Sequence, residues 1–87
     1  MTYTVELSRK AQKEFEKLPM AVQGRLLPKI KALANDPRPP GSKALVNVEN
    51  SYRIRDGDYR ALYTIHDDIV LVYVFRVEHR KDAYRGL

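Results

Sequence analysis

Residues 52–75, with the sequence YRIRDGDYRALYTIHDDIVLVYVF, decide the fold because they predict three consecutive β-strands, at 52–55, 59–65 and 69–75. Arg53 and Arg55 alternate with apolar residues, as in a strand whose side chains point to opposite faces. Asp56-Gly57 between two alternating runs is a strong hairpin signal, since glycine accepts the positive φ of a tight turn. The run Ile69–Phe75 is apolar at every position, which predicts a central strand covered on both faces.

The arginines of this stretch admit two interpretations. Arg53, Arg55 and Arg60 fall where a twisted sheet can gather them on one face, and their guanidinium forks suit a phosphate group. The alternative is an ordinary one-sided sheet whose outward arginines pair with nearby acids, namely Asp56, Asp58, Asp67 and Asp68. Spacing alone favours the alternative, because outward-facing charged residues are the usual case.

The N-terminal part of the chain predicts a strand followed by two helices. Residues 2–7 alternate as in a strand, and Ser8 is a suitable N-cap for a first helix. The sequence Leu18-Pro19 ends that helix, because the residue before proline is pushed out of the α region. A second helix is expected from about Met20 to Ala34, with a kink or break near Gly24, since Pro28 removes a backbone hydrogen bond.

The remaining segments complete an α+β arrangement. Residues 35–42 are rich in proline and turn residues, which predicts a loop, and Lys43–Leu45 predicts a short edge element. Residues 76–87 are expected to form a polar, basic tail. The predicted fold is a small, mainly antiparallel twisted sheet, in the order β-α-α-β-β-β, packed against an N-terminal helical hairpin. At this length we expect a single domain over residues 1–87.

Composition restricts the chemistry that the chain can perform. There are no cysteines, which excludes disulfides and a thiolate nucleophile and is typical of a reducing compartment. Neither a signal-peptide pattern nor a long apolar run is present, so a cytoplasmic protein without membrane contact is expected. The net charge of +5 favours polyanionic partners. The two histidines have no ligand spacing around them and no glycine-rich phosphate loop occurs, so neither a metal nor a cofactor is expected.

A basic cluster remains as the candidate site, drawn from the sheet and the C-terminal segment: Arg53, Arg55, Arg60, Arg76, His79, Arg80, Lys81, Tyr84 and Arg85. Such a cluster can support RNA cleavage without a metal, because RNA carries its own nucleophile, the 2′-OH next to the scissile phosphate. Fixed cations stabilise the charge that develops on the phosphate oxygens, and an aromatic ring can orient a base by stacking.

Three segments together with the order of elements carry a family resemblance: DPRPPGSK at 36–43, YRIRDGDYR at 52–60 and RVEHRKDAYR at 76–85. With them the chain resembles the RelE/ParE superfamily of toxin–antitoxin toxins, most closely the RelE-type mRNA interferases. The resemblance covers nearly the whole chain. It implies a type II toxin that cleaves mRNA in the ribosomal A site, through a 2′,3′-cyclic phosphate, and thereby inhibits translation.

The resemblance also implies roles for individual residues. Transferred by position, the catalytic residues are Arg53, Arg55, Arg60, Arg80 and Tyr84. The RNA-binding residues are Arg53, Arg55, His79, Lys81 and Arg85. Well-known members have lysines where this chain has Arg53 and Arg55, and an arginine that stays protonated is not a credible general base. The base is therefore left open among Glu49, His79 and an oxyanion form of Tyr84, and weak base catalysis is a further alternative.

Two functions remain open within this superfamily. The first is the ribonuclease, with the ribosome and mRNA as partners. The second is a ParE-like inhibitor of DNA gyrase that acts by binding without RNA cleavage. Either function implies a cognate antitoxin, acidic and extended, that covers the basic face or displaces the C-terminal segment. Contact with operator DNA is expected only through the toxin–antitoxin complex.

Overall fold

The fold is a five-stranded mixed sheet with two helices, as seen in a computed structural model that describes residues 2–80. In chain order the elements are β1 (Thr4–Leu7), α1 (Arg9–Glu16), α2 (Met20–Ala32), β2 (Lys43–Ala44), β3 (Ser51–Asp56), β4 (Tyr59–His66) and β5 (Leu71–His79). The strand order across the sheet is β1-β5-β4-β3-β2. β1 runs parallel to β5, and every other neighbouring pair is antiparallel. The predicted α+β class, the mainly antiparallel sheet and the short edge strand are confirmed.

The two helices begin at the capping signals that the sequence contains. The Ser8 hydroxyl accepts a hydrogen bond from the Ala11 N–H at 3.0 Å, so it acts as the N-cap of α1. Pro19 occupies the N-cap position of α2. Of the expected kink or break near Gly24, the break does not occur, because α2 continues through Pro28 and ends at Ala32. Burial of its apolar side against the sheet outweighs the hydrogen bond that the proline removes.

The hydrophobic core lies on one face of the sheet, between the strands and both helices. Its sheet side comes from β3, β4 and β5, and its helix side from α1 and α2. The completely or nearly completely buried members are Ala11, Phe15, Leu26, Ile30, Leu33, Ile54, Ala61, Tyr63, Ile65, Val72, Val74 and Val77. The helical hairpin therefore covers one face, as predicted, and the other side, here called the open face, carries Arg53, Arg55, Arg60 and Leu62.

Strand β5 differs from the prediction at both ends. It begins at Leu71 rather than Ile69, and it continues through His79, so residues 76–79 belong to the sheet rather than to a tail. The extension exists because β4 supplies pairing partners as far as Tyr59, which opposes His79, after a register shift at Leu62/Tyr63. β5 is flanked by β1 and β4 as expected, but Tyr73 is 37% exposed, so the prediction of cover on both faces was wrong.

The proline-rich loop is held to the sheet by polar contacts. The Tyr63 hydroxyl donates to the Pro37 carbonyl at 2.8 Å, and the Arg38 guanidinium contacts Asp67 at 3.0 Å. Asp67 also accepts a hydrogen bond from the Tyr3 hydroxyl at 2.6 Å. Arg38, followed by Tyr3, lowers the pKa of the Asp67 carboxyl, while Asp67 raises the pKa of both partners. Within residues 2–80, neither helix has the length and apolar character needed to cross a membrane.

Candidate functional site

Strand pairing aligns the charged residues of the open face in two rows. Arg55 lies opposite Arg60, and Arg60 lies opposite Glu78 on its other side. The second row joins Lys43, Arg53, Leu62 and Arg76. Directly opposed residues of an antiparallel pair are close neighbours, and like charges in such positions are destabilising. Lys43–Arg53 and Arg55–Arg60 are both pairs of this kind, so the sheet concentrates positive charge at the expense of its own stability.

These residues surround a pocket of about 360 Å³, here called the arginine pocket, whose lining is Arg53, Arg55, Gly57, Asp58, Arg60 and Arg80. Four of its six lining residues are arginines. Arg80 follows β5 directly and is fixed beside the β3–β4 turn, because its backbone N–H donates to the Asp58 carbonyl at 2.6 Å. Gly57 forms that turn with a φ of 60°, a conformation that favours glycine. The arginines of three separate segments thus converge on one concavity.

Two of the acids that the alternative interpretation assigned to these arginines, Asp56 and Asp67, have other partners. Asp56 contacts Arg25 at 2.7 Å and Lys29 at 3.3 Å, both on α2, and these partners lower the pKa of its carboxyl, Arg25 contributing most. Asp67 belongs to the loop contacts described above. Within the described residues, neither Arg53 nor Arg55 has a carboxylate at ion-pair distance.

The pocket also contains one acid, Asp58. Its carboxylate lies 3.8 Å from the Arg80 guanidinium, and both side chains are more than half exposed. An exposed ion pair of this length contributes little, because water screens it. Asp58 therefore leaves most of the positive charge of the pocket available to an anion.

Arg60 has a carboxylate partner that sequence reasoning missed. Its Nε lies 2.9 Å from Oε1 of Glu78, a residue that is 6% exposed. The alternative interpretation of Arg60 offered Asp56 or Asp58 as its partner, since both lie near it in the chain. The register of β4 against β5 brings Glu78 opposite Arg60, and the shift at Leu62/Tyr63 hides this pairing from simple counting. The alternating charges of the last strand were the available signal.

Other predicted site residues lie apart from the arginine pocket. His79 packs edge-on against Tyr59, with ring centroids 4.9 Å apart, and lines a different groove beside Leu18 and Pro19. Glu49 is exposed in the loop before β3 and does not line the pocket. Three further predicted site residues, Lys81, Tyr84 and Arg85, lie outside the described residues.

The arginine pocket is suited to an anion that carries several oxygens. Each guanidinium presents planar N–H groups that match phosphate geometry, and several cations in one concavity strengthen the attraction. A small adjoining cavity of about 60 Å³ shares Arg53 and Arg55 with the arginine pocket and adds Lys43 to the basic surface, with Gly41 as its remaining lining residue. A chain of linked phosphates, rather than a single ion, fits a surface of this extent.

Comparison with known proteins identifies the family. The family model described as the ParE toxin of the type II toxin-antitoxin system, parDE, matches residues 5–84. The chain belongs to the RelE/ParE superfamily of type II toxin–antitoxin toxins. This RelE/ParE toxin is similar to Toxin RelG of Mycobacterium tuberculosis, with 31% identity over 86 residues, covering 98% of this chain and 99% of that one. It is also 31% identical over 83 residues to the mRNA interferase toxin RelE of Escherichia coli, covering 93% and 86% of the two chains.

Solved structures of the superfamily share the fold of this RelE/ParE toxin. The toxin–antitoxin complex RelBE2 from Mycobacterium tuberculosis contains a chain that is 30% identical, with a TM-score of 0.77 and coverage of 92% of this chain and 100% of that one. The intact RelBE complex of Escherichia coli gives 30% identity, a TM-score of 0.78 and coverage of 88% and 95%. The recognised superfamily and its predicted fold are therefore confirmed.

Proposed function

We propose that this toxin is a ribosome-dependent endoribonuclease that cleaves mRNA in the A site and so inhibits translation. The observation that carries the proposal is the arginine pocket, which gathers Arg53, Arg55, Arg60 and Arg80 on the open face of the sheet. The similarity to the mRNA interferase toxin RelE of Escherichia coli supports the same reaction.

The reaction needs no metal, because the substrate supplies the nucleophile. The ribose 2′-OH loses its proton and its oxygen bonds to the adjacent phosphorus, while the bond from phosphorus to the 5′-oxygen breaks. The products are a 2′,3′-cyclic phosphate and, once the leaving oxygen takes up a proton, a 5′-OH end. Negative charge grows on the phosphate oxygens along this path. Arg60 and Arg80 stabilise that charge, and Arg53 and Arg55 hold the substrate phosphates.

The candidates for the general base differ in their position. His79 and Glu49 lie away from the arginine pocket, so neither is placed to take the proton of a 2′-OH bound there. We retain Tyr84 as a proposed catalytic residue. Lys81 and Arg85 remain proposed RNA-binding residues. A guanidinium is not a base at neutral pH, so Arg53 and Arg55 act as clamps.

Partners follow from the same proposal. The toxin binds a cognate antitoxin, as toxins do in the solved RelBE complexes to which it is similar. Its proposed location is the cytoplasm. An acidic, extended antitoxin complements the positive net charge of +5 and covers the basic open face. Operator DNA is contacted only through the toxin–antitoxin complex.

The decisive experiment maps mRNA ends by primer extension in cells after the toxin is induced. We expect new 5′ ends inside translated codons with the unaltered chain. Arg60→Ala and Arg80→Ala should each reduce cleavage by about 100-fold, the usual effect of losing one donor that stabilises transition-state charge. Arg9→Ala is the matched control. Arg9 is an exposed residue at the start of α1, outside the pocket, so the substitution removes the same positive charge without changing the pocket lining.

A gyrase inhibitor is the second candidate, and the matching family model, named for the ParE toxin, favours it. It predicts loss of DNA supercoiling and induction of the SOS response, with intact mRNA. The two functions are separated by measuring plasmid supercoiling and mRNA ends in the same induced culture. Supercoiling loss without codon-internal cuts would overturn the ribonuclease proposal.

A further inference from the structure

Glu78 is the centre of a chain of charged groups that runs from α1 into the arginine pocket. Its Oε1 lies 2.9 Å from Arg60 Nε, and its Oε2 lies 3.1 Å from Arg76 Nε. Arg76 Nε is also 3.6 Å from Oε2 of Glu14, whose Oε1 accepts the Val77 N–H at 2.9 Å. The carboxylate of Glu78 is thus fixed from two sides, and the chain ends on a helix of the core.

Burying these charged side chains costs desolvation free energy. The side chain of Glu78 is 6% exposed and that of Arg60 is 17% exposed. Neither Arg60 Nε nor Arg76 Nε has an aligned hydrogen-bond partner, so these contacts are ionic rather than hydrogen-bonded. Replacing buried ion pairs with apolar residues is often neutral or stabilising. Stability alone therefore does not account for an acid at position 78.

The charges around Arg60 suggest a role for Glu78. Arg55 lies directly opposite Arg60 on β3, and their like charges repel. Glu78 lies opposite Arg60 on β5 and attracts it from the other side. Arg60 lines the arginine pocket, so the residue that Glu78 contacts is also one that faces the pocket. Glu78 itself does not line that pocket.

We propose that Glu78 is a positioning residue that holds Arg60 in the geometry needed to stabilise the scissile phosphate. This inference rests on the proposed function for its catalytic consequence. Without the carboxylate, repulsion from Arg55 turns Arg60 away, and the transition state loses a cation that the ground state scarcely needs. Glu78→Gln should therefore lower kcat by about 10- to 100-fold, the range seen when a supporting partner is removed, with KM changed little.

The first experiment measures steady-state cleavage of mRNA by the purified toxin at several concentrations of programmed ribosomes, which gives kcat and KM. Glu6→Gln is the matched control, because it makes the same chemical change on an exposed strand residue that forms no ion pair with residues 2–80. Glu78→Asp keeps the charge and should recover part of the rate that Glu78→Gln loses. In an Arg60→Ala background, Glu78→Gln should have no further effect, because its influence passes through Arg60. Equal losses in both backgrounds would overturn the proposal.

A second readout is independent of cleavage. The Arg60 Nε–Hε group should be rigid in the unaltered toxin and mobile in folded Glu78→Gln, as measured by its ¹H–¹⁵N heteronuclear NOE, with circular dichroism to confirm the fold. If Glu78→Gln does not fold, Glu78→Asp is compared with the unaltered chain in the same way. Failure of the unaltered toxin to cleave mRNA, with Arg60 mobility dependent on Glu78, defeats the proposed function alone. Unchanged Arg60 mobility, or normal cleavage by Glu78→Gln, defeats the positioning role.

Discussion

Tyr63 joins the sheet to the proline-rich loop through a single hydroxyl group. Its ring is fully buried in the middle of β4, and the hydroxyl donates to the Pro37 carbonyl at 2.8 Å. Burial raises the pKa of Tyr63 to about 12, because the phenolate form would lose its hydration. The native state therefore keeps this proton at pH values where an unfolded chain releases it.

Tyr63→Phe should weaken the fold modestly and change its response to alkali. Loss of the hydrogen bond should lower the free energy of unfolding at pH 7 by about 1 kcal/mol. The raised folded pKa gives the unaltered chain a contribution that is complete below pH 10, the unfolded value, and is lost as pH rises towards 12. The variant lacks this loss, so its stability should fall less between those pH values.

Urea unfolding from pH 7 to pH 11 measures both effects. Tyr73→Phe is the matched control, since Tyr73 is 37% exposed on the other side of the sheet and should leave the alkaline slope unchanged. An identical slope for Tyr63→Phe and the unaltered chain would contradict the assignment.

At the residue scale, the sequence predicted which arginines share a face but not their partners. Period-two alternation put Arg53 and Arg55 on one face, because it depends only on local backbone geometry, and the Asp56-Gly57 hairpin signal brought Arg60 onto the neighbouring strand. It could not find Glu78, which is distant from Arg60 in the chain and meets it only through the pairing of β4 with β5. A carboxylate near in sequence was preferred over one near in space.

Among the elements, α2 contains a proline that its helix tolerates at a cost. Pro28 is exposed, and it leaves the Gly24 carbonyl without a backbone donor from position 28. The buried side chains of Leu26 and Ile30 hold the helix on the sheet on either side of the proline. Tertiary packing thus outweighed the low helix propensity of proline. Helix propensity does not include packing, so it could not predict this outcome.

Pro28→Ala should make the toxin more stable. Alanine supplies the missing N–H and is preferred over proline in a helix interior by about 3 kcal/mol, part of which is offset by the freer unfolded chain. We expect a gain of about 1–2 kcal/mol, measured as a rise in Tm. Pro40→Ala in the loop is the control, because it loosens the unfolded chain without helping a helix and should lower Tm slightly. A lower Tm for Pro28→Ala would show that the ring itself is required for packing.

The two ends of β5 show why the boundaries of this strand could not be predicted from the sequence. The charged residues Arg76 and Glu78 resemble a tail when only hydrophobicity is considered. In the sheet each is neutralised by a neighbour, so strand pairing continues to His79. Conversely, Ile69 and Val70 resemble strand residues but form the turn before β5, where Val70 has a φ of 53°.

For the whole molecule, composition suggested a polyanionic partner but gave no location for its binding site. The net charge of +5 indicated a polyanion, and the pattern of strands then decided which cations are close enough to act together. Lysines and arginines on α1 form a separate basic surface around Arg9, Lys10, Lys13 and Lys17, where Glu14 is interleaved. Only tertiary structure distinguishes such a surface from the arginine pocket.

The salt dependence of RNA binding should locate the polyanion on the molecule. If the proposed function holds, a single-stranded RNA with 2′-O-methyl groups should bind without being cleaved, and each phosphate contact should contribute about −0.7 to the slope of log K against log salt. Arg53→Ala combined with Arg55→Ala should make the slope less steep by about 1.4, twice the value for one contact. Arg9→Ala should leave the slope unchanged, and an equal change for both variants would indicate diffuse attraction rather than a pocket.

The parallel pairing of β1 with β5 also determines when the toxin becomes complete during its synthesis. Thr4 pairs with Leu71 and Leu7 with Val74, so the earliest strand to leave the ribosome waits for the latest one before it gains a partner. Sheets that join distant parts of a chain form slowly, because a large loop must close first. Arg80 follows that last strand. A nascent toxin therefore emerges without a complete arginine pocket, which forms only after the last strand and Arg80 have left the ribosome.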